Sequence, residues 1–480
     1  MSIESPLVLA LDQGSHASRA VVFDSAGDVI AAHQVDVAEQ RRGALEIEQD
    51  AREIVSSIEH CIASVAGTLG SRRTGLQAVG LATQRSSIVC WDTTTGEPLS
   101  PVISWQDRRT FRETEALAVH AETITQRTGL RLSPHYGASK LHWCLEHLPA
   151  VAQAQSNNRL CLGPLASFIA FHLLRERSCL CDPANAGRTL LWNVEHGDWD
   201  DWLCSLFGIS RTLLPRIVPT VADLGSIHID DQRVPLRCLS GDQPAALFSL
   251  GEPDPGAFYC NIGTGAFVQA LLPVSSVVPS GLLRSVALDD GQHRLTVMEG
   301  TVNGAGSAIT WALDALGIDG DVNTLATALR EADDALLFLN GIGGLGSPYW
   351  LPEFESGFVG DGTPQQKLAA VGESIVFLLA TVVARMGAVV QSPTRIIVTG
   401  GLSKVSPLCQ RLADVTDLLV ERPTVTEATA RGAAFLAAGR PRTWRSQSKL
   451  ERFRPKNDTA LRARYQQWQR KMEQRLGAGH

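Results

Sequence analysis

Apolar runs that end in short polar turns recur in the first half of the chain. Leu7–Leu11 is apolar and ends in the turn Asp12-Gln13-Gly14-Ser15, and residues 19–24 and 29–37 alternate between apolar and polar positions around a turn at 25–28. Such alternation, bounded by Gly, Ser and Asp, is typical of strands. The pattern therefore predicts three successive strands at the start of the fold.

A helix and two further strands are predicted next. Asp50 is followed three positions later by Glu53, the spacing of a capping box, which predicts a helix through about Ala66. Residues 77–82 and 88–91 return to strand-like patterns. Strands and helices that alternate at this spacing predict an α/β architecture.

The second half of the chain repeats this organisation. Residues 257–262 and 266–272 are strand-like around the turn Gly263-Thr264-Gly265, and residues 395–398 lead into Thr399-Gly400-Gly401 and a helical stretch. Two halves that open in the same way predict a duplicated fold with a cleft between the copies. Prolines and glycines cluster at 244–256, which predicts domains over 1–247 and 248–440, followed by a basic tail over 441–480.

Composition and charge narrow the classes of protein. The chain has 480 residues, 44% of them hydrophobic and 19% charged, which excludes a disordered chain, a coiled coil and a collagen-like repeat. The net charge is −7, but residues 440–480 carry about +9 and the rest carries about −16. A phosphate site in the main body must therefore use backbone N–H groups, a metal ion or a few placed cations.

The cysteines and the apolar runs indicate the cellular compartment. The ten cysteines form no Cys-x-x-Cys pair, the N-terminus does not resemble an export signal, and the apolar stretch 375–390 is interrupted by Arg385. We therefore expect a cytoplasmic protein with reduced thiols. A disulfide or metal role for Cys179 and Cys181 is the less favoured alternative.

Three polar turns that follow apolar strands are candidate phosphate sites. They are Asp12-Gln13-Gly14-Ser15, Gly263-Thr264-Gly265 and Thr399-Gly400-Gly401. Glycine lets the backbone approach a ligand closely, and successive N–H groups can form an anion-binding concavity. A single turn of this kind is usually only a hairpin. No turn matches a Walker or dinucleotide-binding glycine pattern, so those folds are disfavoured.

Asp242 has two interpretations from the residues alone. It follows the apolar strand-like segment that ends at Gly241, where a carboxylate can accept a proton from an attacking hydroxyl. It also precedes Pro244 and two alanines, which is a good start for a helix, so a capping role is the alternative.

Further polar clusters contain a large aromatic residue. Gln84-Arg85-Ser86 follows a strand, and Trp105 precedes Arg108 and Arg109, a combination that can bind a hydroxylated ligand. A salt bridge is the alternative for at least one of these two arginines. His135 and Phe267 are ordinarily packing residues.

Together these motifs resemble the FGGY family of carbohydrate kinases, and most closely the glycerol kinases. The resemblance runs from Leu9 to about Ala438. The segments that carry it are 10–20, 83–85, 105–110, 185–189, 241–248, 263–267, 344–350 and Gly400-Gly401. It implies two duplicated actin-like, ribonuclease H-like domains, with ATP and a small polyol or sugar in the interdomain cleft.

The resemblance also implies roles for individual residues. Asp12 matches a magnesium-associated aspartate, and Asp242 matches the catalytic base, which favours the first of its two interpretations. The positions that match the substrate pocket are Arg85, Ser86, Trp105, His135, Asp242, Gln243 and Phe267. The positions that match nucleotide contacts are Gly14, Ser15, His16, Ala17, Arg19, Thr264, Gly265, Gly306, Ile309, Thr310, Gly401 and Val405.

The chain departs from the glycerol kinases mainly in that pocket. Ser86 stands where they carry a glutamate, and His135 stands where they carry a tyrosine. A missing carboxylate removes an acceptor for a substrate hydroxyl, and such a loss changes specificity strongly. We therefore expect ATP- and Mg²⁺-dependent phosphorylation of a primary hydroxyl of a small polyol or ketose.

Two alternatives remain open. One is a true glycerol kinase, and the other is a non-catalytic regulator that binds nucleotide or sugar. A basic tail can also bind nucleic acid or anionic lipid, but basic tails are more often solvated helices. We expect neither partner, and by resemblance we expect a homo-oligomer, either a dimer or a tetramer.

Overall fold

The computed structural model describes residues 6–331, 336–424, 427–444 and 449–477. The chain divides into two compact units. Unit 1 contains Met1–Pro253, Ser285–Thr296 and Val425–Gln447, and unit 2 contains Asp254–Arg284, Val297–Thr424 and Ser448–His480. The linear division at 247 and 440 stays a prediction about the domains.

Most strands belong to two large mixed sheets. The strands are β1 (Leu7–Gln13), β2 (Ala17–Phe23), β3 (Val29–Asp36), β4 (Gln40–Arg42), β5 (Glu46–Gln49), β6 (Leu76–Thr83), β7 (Ile88–Asp92), β8 (Val102–Ile103), β9 (Leu160–Pro164), β10 (Leu180–Cys181), β11 (Trp192–Asn193), β12 (Asp198–Trp199), β13 (Arg216–Ile217), β14 (Ser226–Ile229), β15 (Gln232–Gly241), β16 (Ala257–Ile262), β17 (Ala266–Leu271), β18 (Leu283–Asp289), β19 (Arg294–Val302), β20 (Leu337–Leu339), β21 (Gly357–Val359), β22 (Arg395–Thr399), β23 (Leu419–Pro423) and β24 (Leu450–Phe453).

Helices cover these sheets. They are α1 (Ala51–Leu69), α2 (Phe111–Ala116), α3 (Ala121–Thr128), α4 (Gly137–His147), α5 (Pro149–Ser156), α6 (Leu165–Leu173), α7 (Pro183–Ala186), α8 (Asp201–Leu206), α9 (Asp242–Leu247), α10 (Gly306–Ala315), α11 (Val322–Glu331), α12 (Pro364–Gly387), α13 (Ser406–Thr416), α14 (Ala428–Ala437) and α15 (Thr459–Gly477).

The two large sheets repeat one strand arrangement. In unit 1, β1 is antiparallel to β2 and β2 to β3, while β1 is parallel to β6 and β6 to β15. In the second sheet, β16 is antiparallel to β17 and β17 to β19, while β16 is parallel to β22 and β22 to β23. The predicted duplicated α/β fold is therefore confirmed.

Helix α1 shows how local sequence directs the packing of unit 1. The Asp50 side chain accepts hydrogen bonds from the backbone N–H groups of Arg52 and Glu53, which are otherwise unsatisfied at a helix start. The Glu53 carboxylate accepts from the N–H of Ala38 instead of closing a reciprocal capping box. The apolar face of α1, which includes Ile54 and Ile58, lies in the core of the sheet.

Helix α12 is the central helix of unit 2. Thr363 and Gln366 form a reciprocal capping box at its start. In the described part of the chain α12 is the one helix long and apolar enough to cross a membrane, and it is longer than the apolar stretch 375–390 would indicate. Within α12, 83% of an apolar stretch of 18 residues is buried inside the protein, so α12 has the character of a core helix.

Most of the described basic C-terminal segment, residues 449–477, belongs to unit 2, whereas residues 441–444 belong to unit 1. Strand β24 pairs antiparallel with β23, and α15 buries Trp468, whose indole N–H donates to the carbonyl of Phe338 at 3.0 Å. The tail arginines form ion pairs within the same unit, among them Arg464 with Glu373 at 2.7 Å. This segment therefore contributes to the core and its charge is partly neutralised.

Candidate functional site

Three parallel strands of unit 1 end at one edge of the sheet. Gln13 of β1 is paired with Thr83 of β6, and Thr83 is paired with Gly241 of β15. In open α/β sheets, ligands bind at the carboxyl ends of such strands. This register places Asp12 and Asp242 at that edge, on either side of the segment that follows β6.

The residues after β6 and β15 contact each other directly. The Arg85 guanidinium donates to the Gln243 side-chain oxygen at 2.5 Å, and its Nε lies 3.8 Å from Oδ1 of Asp242. A Cβ at Gly241 would lie 2.4 Å from Cδ of Arg85, so only glycine at this position leaves room for the Arg85 side chain. The sequence-predicted residues Arg85, Asp242 and Gln243 therefore form one cluster.

Asp242 is not the N-cap of the helix that it begins. Gly241 occupies the cap position of α9, and no side chain caps this helix. The Asp242 carboxylate accepts a hydrogen bond from the N–H of its neighbour Gln243 at 2.8 Å. The capping interpretation of Asp242 is therefore wrong, and the carboxylate remains at the sheet edge.

Burial raises the pKa of both carboxyl groups at this sheet edge. Burial and the charge of Asp242 raise the pKa of Asp12 to about 7, although Arg19, 3.6 Å away, opposes the shift. Burial also raises the pKa of Asp242, against the influence of Arg85 and Arg188. Perturbed acids in a strand-end site are typical of a functional centre.

Aromatic rings form one wall of this site. The Trp105 and His135 rings lie 5.5 Å apart, edge to face, and the Trp105 indole N–H donates to the Ser15 hydroxyl at 2.9 Å. Ser86, buried directly after Arg85, has a φ of 66°, an unusual value for a residue with a side chain. The wall therefore connects the predicted substrate residues with the first polar turn.

Arg109 has the structural role that the sequence left open. Its guanidinium contacts Glu48 at 2.7 Å and Asp107 at 2.8 Å, and all three side chains are buried. The predicted salt bridge is therefore confirmed for this arginine, although it lies in the interior.

Sequence reasoning missed Tyr136, Lys140 and Arg188. The Lys140 ammonium donates to the carbonyls of Ser104 at 2.7 Å and His135 at 2.9 Å, and burial lowers the pKa of Lys140 to about 7. Its position on the buried face of α4 was an available signal, because lysine is rarely buried there without a partner. Arg188 lies in segment 185–189, which carries part of the family resemblance, but the sequence analysis assigned it no role in the site.

The first polar turn of unit 1 is a tight hairpin. The Gly14 N–H donates to the Ala17 carbonyl at 2.9 Å, and His16 is exposed at the tip. Arg19 on β2 forms ion pairs with Asp12 and, at 3.8 Å, with Glu427.

Unit 2 carries the second and third polar turns at one edge of its own sheet. Asn261 of β16 is paired with Thr399 of β22, and the Asn261 amide donates to the Thr399 hydroxyl at 3.3 Å. Gly400 has a φ of 87°, and a Cβ there would lie 2.6 Å from the Ile262 carbonyl oxygen. The two turns are therefore adjacent, and glycine is needed for that close approach.

The predicted nucleotide positions of unit 2 differ in exposure. The Gly306 N–H donates to the Gly263 carbonyl at 2.9 Å, which places the start of α10 against the second turn. Five of these residues are exposed or half-buried, namely Thr264, Gly265, Gly306, Thr310 and Gly401. Ile309 and Val405 belong to the hydrophobic core, and Phe267 is half-buried on β17.

The described residues contain no group of three or more His, Cys, Asp or Glu that could hold a metal ion by themselves. All ten cysteines are free, so a disulfide between Cys179 and Cys181 is wrong. A divalent ion at this site would need ligands beyond the protein, as Mg²⁺ at phosphates usually has.

Comparison with known proteins agrees with these features. Residues 7–248 match the sequence model of the FGGY family of carbohydrate kinases, N-terminal domain, and residues 258–439 match that of its C-terminal domain. The chain is 34% identical to a glycerol kinase of Trichlorobacter lovleyi, covering 93% of this chain and 92% of the relative. It is 32% identical to a glycerol kinase of Allorhizobium ampelinum, covering 98% and 99%.

Solved structures share the fold at lower sequence identity. A glycerol kinase of Plasmodium falciparum, determined with ADP, matches with a TM-score of 0.89 at 21% identity and covers 98% of both chains. A ligand-bound xylulose kinase of Lactobacillus acidophilus matches with a TM-score of 0.83 at 20% identity, covering 96% of both. The chain therefore belongs to the FGGY family of carbohydrate kinases and is a phosphotransferase that acts on an alcohol group of a small sugar or polyol.

Proposed function

We propose that the enzyme transfers the γ-phosphoryl group of ATP to a primary hydroxyl of a small polyol or sugar, in the cytoplasm, with Asp242 as general base. The observation that carries this proposal is the position of the Asp242 carboxylate, half-buried at the strand-end edge with one oxygen 3.8 Å from Nε of Arg85.

The surroundings of Asp242 suit proton transfer. A general base works best when its pKa lies near the operating pH, and burial raises the pKa of Asp242 in that direction. Arg85 acts in the opposite sense, so the carboxylate remains able to ionise. When the acceptor hydroxyl attacks phosphorus, its proton moves to a carboxylate oxygen of Asp242.

The neighbouring residues supply binding and orientation. Arg85 and Gln243 present polar groups to the substrate, and Trp105 with His135 presents ring surfaces against its carbon chain. The 2.9 Å bond from Trp105 to Ser15 holds this wall against the first polar turn. We also assign Ser86 and Phe267 to substrate binding. Fixing the acceptor in this way lowers the entropic part of the barrier.

Asp12 is the proposed protein ligand of Mg²⁺. The repulsion between Asp12 and Asp242 that raises the Asp12 pKa is relieved by a divalent cation, and Mg²⁺ is usually held by one or two carboxylates and the phosphates. Bound Mg²⁺ neutralises charge on the phosphates during transfer. The donor set therefore fits this ion.

The polar turns are the proposed nucleotide contacts. In unit 1 these are Gly14–Ala17 and Arg19. In unit 2 they are Thr264, Gly265, Gly306, Ile309, Thr310, Gly401 and Val405. Because Ile309 and Val405 lie in the core, they would act chiefly by shaping the backbone around the nucleotide. Peptide N–H groups beside glycines stabilise phosphate without bulk positive charge.

Substitution of the proposed base tests this function. ADP release is measured with ATP, Mg²⁺ and a panel of polyols, ketoses and sugar acids, for the wild type, Asp242→Asn and the control Asp231→Asn. Asp231 is exposed on the turn between β14 and β15. We expect Asp242→Asn to lower kcat by at least about 100-fold, the usual contribution of a general base, and Asp231→Asn to match the wild type. Equal turnover by Asp242→Asn would refute the assigned role.

Glycerol is the acceptor that the relatives favour. Because the chain is 34% identical to a glycerol kinase over nearly its whole length, glycerol belongs at the head of the panel. A glycerol kcat/KM above that of every other acceptor would make the protein a glycerol kinase.

A further inference from the structure

Three buried glutamines lie against the first polar turn of unit 1. Gln13 ends β1, Gln49 ends β5 and Gln84 directly follows β6, and each of them is at most 2% exposed. The Gln84 amide donates to the side-chain oxygens of Gln49 at 2.9 Å and of Gln13 at 3.1 Å. Because a buried amide is costly unless its hydrogen bonds are made, these bonds fix the orientation of all three side chains. The three residues form the glutamine cluster.

The glutamine cluster binds two backbone carbonyls of the turn. The Gln13 amide donates to the Gly14 carbonyl at 2.6 Å, and the Gln49 amide donates to the Ser15 carbonyl at 2.8 Å. The Gln84 amide also lies within hydrogen-bond distance of the Gly14 carbonyl, at 3.4 Å. Both carbonyls at the tip of the turn therefore point toward the buried amides.

The bound carbonyls determine where the N–H groups of the same peptides point. In a trans peptide the C=O and N–H bonds have opposite directions. The bonds to the two carbonyls therefore direct the N–H groups of Ser15 and His16 away from the glutamine cluster. Neither N–H forms a hydrogen bond among the residues that the structure describes, and Ser15 is half-buried while His16 is exposed. Successive N–H groups of this kind form a concavity that suits phosphate oxygens.

The glutamine cluster also contacts the aromatic wall of the site. The Ser87 hydroxyl donates to the Gln84 side-chain oxygen at 2.9 Å and accepts from the backbone N–H of Trp105 at 3.0 Å. The indole N–H of Trp105 donates in turn to the Ser15 hydroxyl at 2.9 Å. A continuous series of hydrogen bonds therefore connects the turn with the wall through Gln84.

From this geometry we propose that the glutamine cluster consists of positioning residues, which hold the N–H groups of Ser15 and His16 in the orientation that binds nucleotide phosphate and fix Trp105 relative to them. This inference rests on the proposed function, in which the turn contacts ATP and Trp105 contacts the acceptor. The glutamines supply no group to the reaction and act through these residues. Holding two reactants in a fixed relative orientation is a major source of rate enhancement, so loss of the cluster has a measurable cost.

Gln49→Met tests the side of the cluster that faces the turn. Methionine has nearly the same length but cannot donate to the Ser15 carbonyl. Calorimetry measures binding of the non-hydrolysable imido analogue of ATP in the presence of Mg²⁺. We expect its Kd to rise at least about fivefold, because a buried carbonyl loses its partner and the His16 N–H loses its fixed direction. KM for ATP should rise with it, while KM for the acceptor stays near the wild-type value.

Ser87→Ala tests the side of the cluster that faces the wall. It removes the hydroxyl between Gln84 and the Trp105 N–H and leaves Gln49 bonded to the turn. We expect the opposite split: KM for the acceptor with the highest kcat/KM rises at least about fivefold, and Kd for the imido analogue stays within about twofold of the wild-type value. Because all three amides remain in place, this variant decides the proposal if Gln49→Met does not fold, and an unchanged acceptor KM would overturn it.

Gln269→Met is the matched control for loss of a buried amide. Gln269 is buried on β17 of unit 2, and its amide donates to the Glu299 carboxylate at 2.9 Å. We expect this variant to melt at a lower temperature and to show neither split in binding or KM. Hydrogen exchange followed by mass spectrometry gives a readout that does not depend on activity. Exchange in the segment 13–17 should accelerate in Gln49→Met and should be unchanged in Gln269→Met.

The outcomes separate this inference from the proposed function. If turnover depends on Asp242 but Gln49→Met binds the imido analogue as tightly as the wild type, the positioning role is overturned and the kinase function stands. If no acceptor is turned over, weaker nucleotide binding by Gln49→Met than by Gln269→Met supports the positioning role while the kinase proposal fails. Equal weakening by these two variants indicates general destabilisation and overturns the inference. Absence of nucleotide binding by the wild type overturns both proposals.

Discussion

At the scale of single residues, the site depends on burial of polar groups. Lys140 is fully buried on α4, and its ammonium donates to the carbonyls of Ser104 and His135. Burial penalises the charged form, which lowers the pKa of Lys140 from 10.5 to about 7. The wall that carries His135 is therefore coupled to a proton equilibrium.

This coupling predicts a pH-dependent stability. Between pH 7 and about 10 an unfolded Lys140 binds a proton that the folded state releases, so its contribution to the free energy of unfolding rises with pH in that window. The slope is at most about 1.4 kcal/mol per pH unit. The free energy of unfolding of the wild type minus that of Lys140→Met, measured by denaturant unfolding at each pH, should show this rise. The same difference for the exposed control Lys404→Met should not change with pH. A flat difference would contradict the shifted pKa.

At the scale of elements, helix packing holds the proposed base in place. Helix α14 packs on α9, which begins at Asp242, and both belong to unit 1. A Cβ at Gly432 of α14 would lie 1.7 Å from the Ala245 carbonyl oxygen of α9. Glycine at this position therefore allows the contact that sets the position of α9.

Gly432→Ala should damage both stability and activity. Because the methyl group forces α14 from α9, we expect a loss of roughly 1–3 kcal/mol in the free energy of unfolding and a lower kcat through displacement of Asp242. Gly67→Ala is the matched control, since a Cβ on α1 at that position meets nothing within 4 Å. Thermal melting and ADP release report the two effects, and unchanged values for Gly432→Ala would contradict the close contact.

The start of α12 tests the role of capping. The Thr363 hydroxyl accepts from the N–H of Gln366, whose side chain bonds back to the Thr363 N–H. Thr363→Ala should cost about 1 kcal/mol of stability, whereas Thr327→Ala on the exposed face of α11 should have little effect. Equal melting temperatures for the two variants would contradict the capping contribution.

At the scale of the whole molecule, the C-terminal segment completes the core of unit 2. Trp468 is fully buried on α15, and its ring lies 5.7 Å from that of Phe377 on α12. The central helix therefore packs against a segment that the sequence presents as a basic tail.

Truncation of this anchor should destabilise unit 2. Trp468→Ala is expected to cost about 3–5 kcal/mol through the cavity that it leaves and the lost bond to the Phe338 carbonyl. The control Trp311→Phe changes a ring that is 36% exposed and should cost much less. Urea unfolding followed by fluorescence measures both, and a small loss for Trp468→Ala would show that α15 contributes little to the core.

The strand and turn pattern was accessible from sequence because it is local. Residues 257–262 were predicted as a strand and form β16, and Asp50 was predicted to start the helix that is α1. Hydrophobic alternation and capping involve residues a few positions apart, so the sequence determines them directly. The same holds for the duplicated fold, whose halves begin with the same strand and turn.

Only the tertiary structure decided which side chains meet. The cap position of α9 belongs to Gly241, because the parallel register of β15 leaves the Asp242 carboxylate at the sheet edge. Arg85 and Arg188 both act on the Asp242 carboxylate although they lie more than 100 positions apart in the chain, and no local period relates them. The sequence alone determined the elements and the family, since these follow from local patterns and ordered motifs. The charge balance of the pocket follows from burial and distance, which exist only in the folded chain.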